Sequence, residues 1–293
     1  MALILAVTPA GANVRVCQGQ EQRYEQIKTA AGPLEVNAAL FAAAEKGCAS
    51  LVRRLLGDGA SLKARDRLGA MPLSRAAAAG QAEIVELFLA NGAEIDARNL
   101  DGSTSLYVAT EEDRPSAVRA LVAHGADVNL PGRSGVTPLE AAAFMGSAPL
   151  VKILLDKGAD PNRVDGTGKA AICYAAGRAF TPVVRLLLDS GVDANRRYGH
   201  GLTALMWAAG YSDEAGVDDA DEVVKLLIAR GARLDEADDR GRTALMIAAG
   251  LNHTGAAELL IAAGADKSLR DKEGKSAADM ARDEGLRAKL GGR

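Results

Sequence analysis

The sequence predicts an all-α solenoid of stacked helix–turn–helix units that are joined by β-hairpin-like loops. One glycine series recurs every 33 residues, with a single interval of 40: Gly59, Gly92, Gly125, Gly158, Gly191, Gly231 and Gly264. A second glycine series repeats those spacings: Gly69, Gly102, Gly135, Gly168, Gly201, Gly241 and Gly274. Aromatic residues make up only 3% of the 293 residues, so Ala, Leu, Val and Ile must form the core. Such self-similarity is typical of repeat proteins.

Residues 135–162, GVTPLEAAAFMGSAPLVKILLDKGADPN, show the pattern of one unit. Thr137 is suited to cap a first helix, and Pro138 fits the first turn, where its missing N–H costs nothing. Gly146 is predicted to end that helix. A second helix follows, and Gly158 suits the left-handed position after it. Units of this size cannot bury their apolar faces alone, so they must stack on their neighbours.

The register predicts an N-terminal segment, residues 1–34, and a single repeat domain, residues 35–290. The domain divides into a degenerate first unit (about 36–65), full units that start near residues 66, 99, 132, 165, 198 and 238, and a C-terminal cap (271–290). The cap is rich in charged residues, which a terminal repeat needs on its outer face.

These units resemble ankyrin repeats, whose pattern runs T-P-L-H-x-A and then V-x-x-L-L-x-x-G-A-D-x-N. The matches include Thr137-Pro138-Leu139, Thr203-Ala204-Leu205, Thr243-Ala244-Leu245, Gly125-Ala126-Asp127-Val128-Asn129 and Gly158-Ala159-Asp160-Pro161-Asn162. The His of the pattern is replaced by Ser74, Tyr107, Glu140, Cys173, Met206 and Met246, so hydrogen bonds between repeats are expected to differ. The Arg-rich, Ala-rich composition favours a bacterial member. The resemblance implies a non-catalytic scaffold that binds a protein through its hairpin tips and first helices.

The same register supplies the candidate partner-binding residues. Those at hairpin tips are Arg67, Leu68, Leu100, Asp101, Arg133, Tyr198 and His200. Those on the exposed side of first helices are Glu111, Glu112, Phe144, Met145, Arg178, Tyr211 and Arg242. Exposed aromatic and large apolar residues are expected to anchor the partner. Packing on the next repeat is the alternative for Phe144 and Met145, and a solvated helix end is the alternative for an acidic notch at Glu111 and Glu112.

The unit of 40 residues carries its extra length in residues 210–223, GYSDEAGVDDADEV, at the turn between its helices. Asp221 and Glu222 are predicted to open the second helix, where acidic residues complement the helix dipole. The other acidic residues, Asp213, Glu214, Asp218 and Asp219, lack the spacing of a strong calcium loop. A solvated or partner-contacting insert is the prediction. A calcium-responsive module that uses residues 213–222 is one alternative, and a toxin-neutralising or host-directed effector, implied by the resemblance, is another.

Several functional classes are excluded by composition and motifs. The net charge of −3 provides no basic excess for nucleic acid. No apolar run approaches the roughly 18 residues of a membrane span. Catalytic motifs are missing, and the three histidines fall in different units. We therefore expect a monomer without cofactor or metal that binds a protein partner.

The N-terminus leaves two interpretations open. Residues 1–12 resemble a signal peptide, with a short apolar run and a small-x-small site at Ala12, but no Lys or Arg precedes Arg15. The alternative is a hydrophobic strand or helix packed on the first repeat. Export would place the protein in the periplasm or outside the cell and allow a Cys17–Cys48 disulfide. Otherwise the protein is cytoplasmic. The surroundings of Cys173 indicate a buried, free thiol.

Overall fold

The computed structural model describes residues 10–210 and 217–291 and assigns helices, but no strand, to them. Contacts group the chain into two compact units, residues 1–133 and 134–293. The division predicted from the sequence is different, an N-terminal segment followed by a single repeat domain. Each unit consists of stacked helix pairs, which confirms the predicted fold class. The loops that the sequence predicts as hairpin-like are turns.

The first unit contains α1 (Ala10–Ile27), α2 (Pro33–Lys46), α3 (Ala49–Gly57), α4 (Pro72–Ala78), α5 (Ala82–Ala90), α6 (Ser105–Glu111) and α7 (Pro115–Ala123). Helices α2, α4 and α6 form one layer, and α3, α5 and α7 form the other. The additional helix α1 packs on α2 and α3, so it covers the first repeat. Residues 1–9, which make up most of the predicted signal peptide, lie outside the described residues.

The second unit contains α8 (Pro138–Met145), α9 (Ala148–Asp156), α10 (Ala171–Gly177), α11 (Thr181–Asp189), α12 (Ala204–Ala209), α13 (Val217–Ala229), α14 (Ala244–Leu251), α15 (Thr254–Ala262), α16 (Ala277–Met280) and α17 (Glu284–Lys289). The even-numbered helices, which are the first helices of their repeats, pack on one another in chain order. The odd-numbered second helices form the opposite layer.

Alanine pairs allow the first helices to approach closely. The pairs that the structure buries completely are Ala76-Ala77, Ala142-Ala143, Ala175-Ala176, Ala208-Ala209 and Ala248-Ala249. A matching series in the second helices has no exposed surface: Leu55, Phe88, Leu121, Leu154, Leu187, Leu227 and Leu260. Small residues in one layer and large apolar residues in the other therefore give each repeat the complementary faces that stacking requires.

Threonine side chains cap the start of four first helices. In α6, α8, α12 and α14 the N-cap hydroxyl oxygen accepts from the backbone N–H three residues later: Thr104, Thr137, Thr203 and Thr243. In α8 the capping is reciprocal, because the Thr137 N–H donates to Glu140 Oε2 at 2.6 Å. Each such cap contributes about 1 kcal/mol.

The position that ankyrin repeats fill with His is buried throughout the described repeats and makes different contacts. Its occupants are Ser74, Tyr107, Glu140, Cys173, Met206 and Met246. Glu140 completes the α8 cap, and the Met206 sulfur lies 3.4 Å from the Thr203 nitrogen in the equivalent place. The contacts of Glu140 and Met206 lie within their own repeats, which agrees with the expectation that hydrogen bonds between repeats differ.

Five hairpin tips begin with an acidic or amide side chain that accepts backbone N–H groups of its own turn: Asp66, Asn99, Asp165, Asp238 and Asp271. Backbone bonds then join neighbouring tips. In the first unit the Leu100 N–H donates to the Leu68 carbonyl at 3.1 Å, and in the second unit the Asp239 N–H donates to the His200 carbonyl at 3.0 Å. Neighbouring tips are thus joined by single backbone hydrogen bonds and not by the hydrogen-bond ladder of a β-sheet.

The acidic insert is partly helical. Helix α13 has 13 residues, whereas α11 has nine, so four of the additional residues extend the second helix at its start. Asp218 and Asp219 therefore lie in the first turn of α13, where the sequence analysis had counted them as loop residues. Acidic residues suit that end of a helix. Residues 211–216, which include Tyr211, Asp213 and Glu214, lie outside the described residues.

Within residues 10–210 and 217–291, none of the helices combines the length and hydropathy that a bilayer crossing requires.

Candidate partner-binding surface

A row of large, half-buried side chains runs along the first helices of the second unit. It consists of Tyr174 in α10, Trp207 in α12, Ile247 in α14 and Met280 in α16. Their spacing of 33, 40 and 33 residues is that of the repeat, so they occupy one register position. Tyr174, Trp207 and Ile247 project from short helices whose Ala pairs are completely buried.

Three residues further along each helix, the register position is a glycine: Gly177, Gly210 and Gly250. A Cβ at Gly177 would lie 3.4 Å from Trp207 Cε3, and one at Gly210 would lie 3.0 Å from Ile247 Cγ2. The glycines therefore leave the faces of the neighbouring side chains uncovered. We call the surface formed by Tyr174, Trp207, Ile247 and these three glycines the aromatic groove.

The aromatic groove contains two adjacent pockets that share Trp207 and Gly210. The upstream pocket, of about 230 Å³, is lined by Phe144, Lys169, Tyr174, Arg178 and Trp207 among others. The downstream pocket, of about 350 Å³, is lined by Met206, Met246, Leu251, Met280 and Arg242 among others. The first is aromatic and cationic, whereas the second is mainly aliphatic and rich in methionine.

Two cations border the upstream pocket and lie over aromatic rings. Lys169 Nζ is 5.4 Å from the Tyr174 ring centre and 5.2 Å from that of Trp207. The Arg178 guanidinium carbon is 4.5 Å from the Phe144 ring centre. Phe144 also meets Tyr174 edge to face, with centroids 5.8 Å apart. Each cation–π contact contributes about 0.5–1 kcal/mol at such partly exposed sites.

Among the described residues, two carboxyl groups of the neighbouring repeats are buried in the protein. Asp165 is buried and accepts from the Tyr174 hydroxyl and, at 2.7 Å, from the Thr167 N–H. Burial alone would raise the pKa of Asp165, but these hydrogen bonds lower it below its usual value. Glu140 is also buried, and this burial raises its pKa to about 7.

Arg242 at the downstream pocket is paired differently. Its Nη2 lies 2.8 Å from Asp238 Oδ2, and Asp238 is buried. Burial opposes ionisation of Asp238, but backbone and Arg242 hydrogen bonds prevail and lower its pKa. The pair leaves the downstream pocket close to neutral, so the two pockets differ in charge as well as in lining.

The comparisons with known proteins agree with this architecture. The family model for ankyrin repeats (three copies) matches overlapping stretches, residues 24–99, 40–132, 73–165, 139–218, 173–271 and 214–286. The chain belongs to the ankyrin-repeat family. The crystal structure of the human ASB11 ankyrin repeat domain is similar, with 28% identity and a TM-score of 0.67 over 75% of this chain and 96% of that chain. A comparison with curated proteins returned no match. Ankyrin repeats are generally protein–protein interaction modules and typically non-catalytic scaffolds.

In the first unit of this ankyrin-repeat protein, the tip residues predicted from the sequence are exposed. Leu68 and Leu100 are 61% and 80% exposed. Arg67 and Asp101, beside them, are also exposed. Two large apolar side chains thus lie next to charged ones on adjacent tips.

The acidic residues at the end of α6 form a local ion pair. Glu111 accepts from Arg133, and Glu112 is exposed beside it. In the second unit, Arg178 lies against Phe144 and Phe180. The notch therefore carries its own counter-ion.

Other predicted residues in the second unit differ in exposure. Phe144 and Met145 are 43% and 48% exposed, and Phe144 also contacts Tyr174 of the next repeat. Tyr198, predicted as an exposed anchor, is only 6% exposed because it packs into the core behind its tip, so it offers no contact surface. His200 is exposed at the tip with φ 61°.

Tyr174, Trp207 and Ile247 were not among the residues that the sequence analysis selected. The sequence signal that indicates them is the glycine series Gly177, Gly210 and Gly250. In the repeat before Gly177, the equivalent position is occupied by Phe144. A glycine retained at one helical position in three repeats has a helix-propensity cost and needs a reason.

The structure joins Cys17 to Cys48, with a Cα–Cα distance of 5.2 Å, and so links α1 to the N-cap of α3. Cys173 is free and buried. Among the described residues, no three His, Cys, Asp or Glu side chains are grouped to hold a metal ion.

Proposed function

We propose that this protein is a non-catalytic scaffold that binds a protein partner through its hairpin tips and first helices, with the aromatic groove as the main contact. The observation that carries the proposal is the glycine series that leaves Trp207 and Ile247 uncovered. Aromatic side chains next to arginine are the residues that most often dominate binding energy. Large apolar side chains that a neighbouring residue would normally cover indicate a binding surface.

The unit-1 tips provide a second contact. Leu68 and Leu100 are the most exposed apolar residues among the tips, and Arg67 and Asp101 border them. Apolar centres with a charged rim are typical of protein interfaces. We therefore assign His200 and Arg242 to the contact of the second unit, and the four tip residues to a contact of the first unit. Glu111, Glu112 and Arg133 belong to its charged border.

The test fills the groove without straining the backbone. Gly177 and Gly250 have ordinary helical conformations, so Gly177→Glu and Gly250→Glu place a side chain over the uncovered faces. Arg185→Glu, on an exposed position of α11, is the matched control. Partners captured from extracts of the native organism by the wild-type protein should be weakened about tenfold or more by each groove variant. Equal capture by all variants would reject the groove.

We also propose that the protein works in an oxidising compartment, the periplasm or the exterior. The Cys17–Cys48 bond supports this, because disulfides persist in such compartments and are rare in the cytosol. Cell fractionation and N-terminal sequencing of the mature protein test it. A cytosolic fraction with reduced cysteines would contradict it.

A further inference from the structure

We infer that the Cys17–Cys48 bond is a thiol-exchange site, at which a protein dithiol opens the bond through Cys17 and releases the N-terminal half of α1 from the first repeat. The inference concerns the first unit and does not depend on the aromatic groove. Three features lead to it: the way in which α1 is held, the open pocket beside the bond, and the position of Cys48 before a helix.

Helix α1 is anchored on the first repeat near its C-terminal end. Among residues 14–27, Tyr24 is the one buried side chain. Its hydroxyl group donates to the Asp58 carboxylate at 2.9 Å. Val14, nearer the start of the helix, is 55% exposed and provides little packing. The N-terminal half of α1 therefore depends on the disulfide at Cys17 for its attachment.

The two sulfur atoms of the bond differ in their access to an attacking thiolate. The bond lies in the wall of an open pocket of about 520 Å³, which residues of α1 and α3 line, among them Gln18, Ser50 and Arg53. Cys17 is half-buried, whereas Cys48 is only 2% exposed. Because access helps to decide which sulfur of a disulfide is attacked, exchange should begin at Cys17.

The sulfur of Cys48 is placed to leave as a thiolate. Cys48 is the N-cap residue of α3, a helix of nine residues, and no side chain among the described residues caps that helix. The backbone N–H groups of a first helical turn and the helix dipole stabilise a negative charge at this position. Since a more stable leaving thiolate makes exchange faster, the helix favours the same direction of attack as the pocket does.

The exchange balances in two steps. A thiolate of the protein dithiol attacks the Cys17 sulfur, a new disulfide forms between them, and the electron pair of the broken bond goes to Cys48. The second thiol of the dithiol then loses its proton and attacks the dithiol's own sulfur, which releases Cys17 as a thiolate. Two electrons and two protons thus pass from the dithiol, which becomes a disulfide, to Cys17 and Cys48. The reverse reaction with an oxidised dithiol closes the bond.

The site of attack can be mapped on the full-length, oxidised protein with reduced glutathione as the probe. Short incubation, quenching with iodoacetamide and peptide mass spectrometry locate the glutathione and the released thiol. We expect glutathione on Cys17 about tenfold more often than on Cys48. Cys173→Ala is the matched control, because it removes the buried free thiol and keeps the bond, and it should give the same result. Equal attack on both sulfurs, a preference for Cys48, or a bond that glutathione does not open would overturn the inference.

Hydrogen–deuterium exchange tests the release of α1. After reduction with dithiothreitol, the backbone amides of residues 16–23 should exchange about tenfold faster, whereas those of α4 and α5 should keep their protection. The Cys17→Ser, Cys48→Ser double variant should behave like the reduced protein without any reductant. Unchanged protection of α1 after reduction would show that other contacts hold it. Loss of protection in α4 and α5 as well would show that the bond stabilises the whole unit, and either result would reject the inference.

Discussion

Lys169 holds its ammonium nitrogen 5.2 Å from the centre of the Trp207 ring, at the wall that the two pockets of the aromatic groove share. This contact involves half-exposed groups, so its contribution to stability is small, about 0.5–1 kcal/mol. We predict that Lys169→Ala lowers the free energy of unfolding by no more than about 1 kcal/mol. Urea denaturation monitored by Trp207 fluorescence measures it. A loss of several kcal/mol would assign Lys169 a structural role instead.

We predict that Gly250 keeps the groove open and lowers the free energy of unfolding. It lies inside α14, and a Cβ there would meet only Met280 Cβ at 3.8 Å. Gly250→Ala is therefore expected to raise the free energy of unfolding by about 0.5–1 kcal/mol. Gly231→Ala is the matched control, because φ there is 80° and no atom crowds the position. It should cost about 1 kcal/mol. Destabilisation by Gly250→Ala would mean that the glycine serves packing.

Glu140 should make stability depend on pH. Burial raises its pKa to about 7 in the folded protein, above the unfolded value of about 4.3. The folded state therefore favours the protonated acid. The resulting stability is complete below pH about 4.3 and is lost as the pH rises towards about 7, by up to about 3 kcal/mol.

Urea denaturation at a series of pH values tests this, with Glu140→Gln as the comparison. The amide keeps the shape and an oxygen for the Thr137 N–H but does not titrate. The difference in stability between wild type and variant should therefore grow over that pH interval. A constant difference would show that Glu140 stays ionised in the folded protein.

The Cys17–Cys48 disulfide should stabilise the packing of the N-terminal helix α1 on the first repeat. Cys17 and Cys48 are separated by 31 positions, a loop for which the chain-entropy model predicts about 3–4 kcal/mol. Reduction should lower the melting temperature of the wild-type protein and leave the Cys17→Ser, Cys48→Ser double variant unchanged. Equal melting with and without reductant would show that α1 docks without the bond.

Thiol labelling should separate the three cysteines. Burial raises the pKa of the Cys173 thiol to about 12, so it should resist alkylation in the native oxidised protein. Denaturation should expose this one thiol, and denaturation with reductant should expose all three. Two or more thiols labelled in the native protein would contradict the pairing.

The repeat architecture could be predicted because two glycine positions are needed in every unit. Gly59 and its equivalents end the second helices at positive φ, and Gly69 and its equivalents turn the tips, so each repeat shows the same spacing. The end of the first helix is less regular. Gly47, Gly80 and Gly146 occupy it in three repeats, but Asp113 and Ala179 adopt the same left-handed conformation in others. A glycine at this position therefore predicts fewer first-helix ends than the structure contains.

The groove could not be predicted in the same way. Tyr174 and Trp207 lie in apolar runs that look like core, and only the neighbouring repeat decides whether a side chain covers them. Tyr198 shows the opposite error, because a tip position suggested exposure and the ring is buried. Exposure of single residues depends on contacts between repeats, whereas the repeat itself is a local pattern.

The central claim is that the partner occupies the groove at Trp207. Fluorine NMR of protein labelled with fluorotryptophan tests it most directly, because the chain contains a single tryptophan and gives a single probe. Addition of the partner should shift the Trp207 resonance, and Gly177→Glu should abolish both the shift and the binding. Saturating binding of the partner with an unchanged Trp207 resonance would contradict the claim.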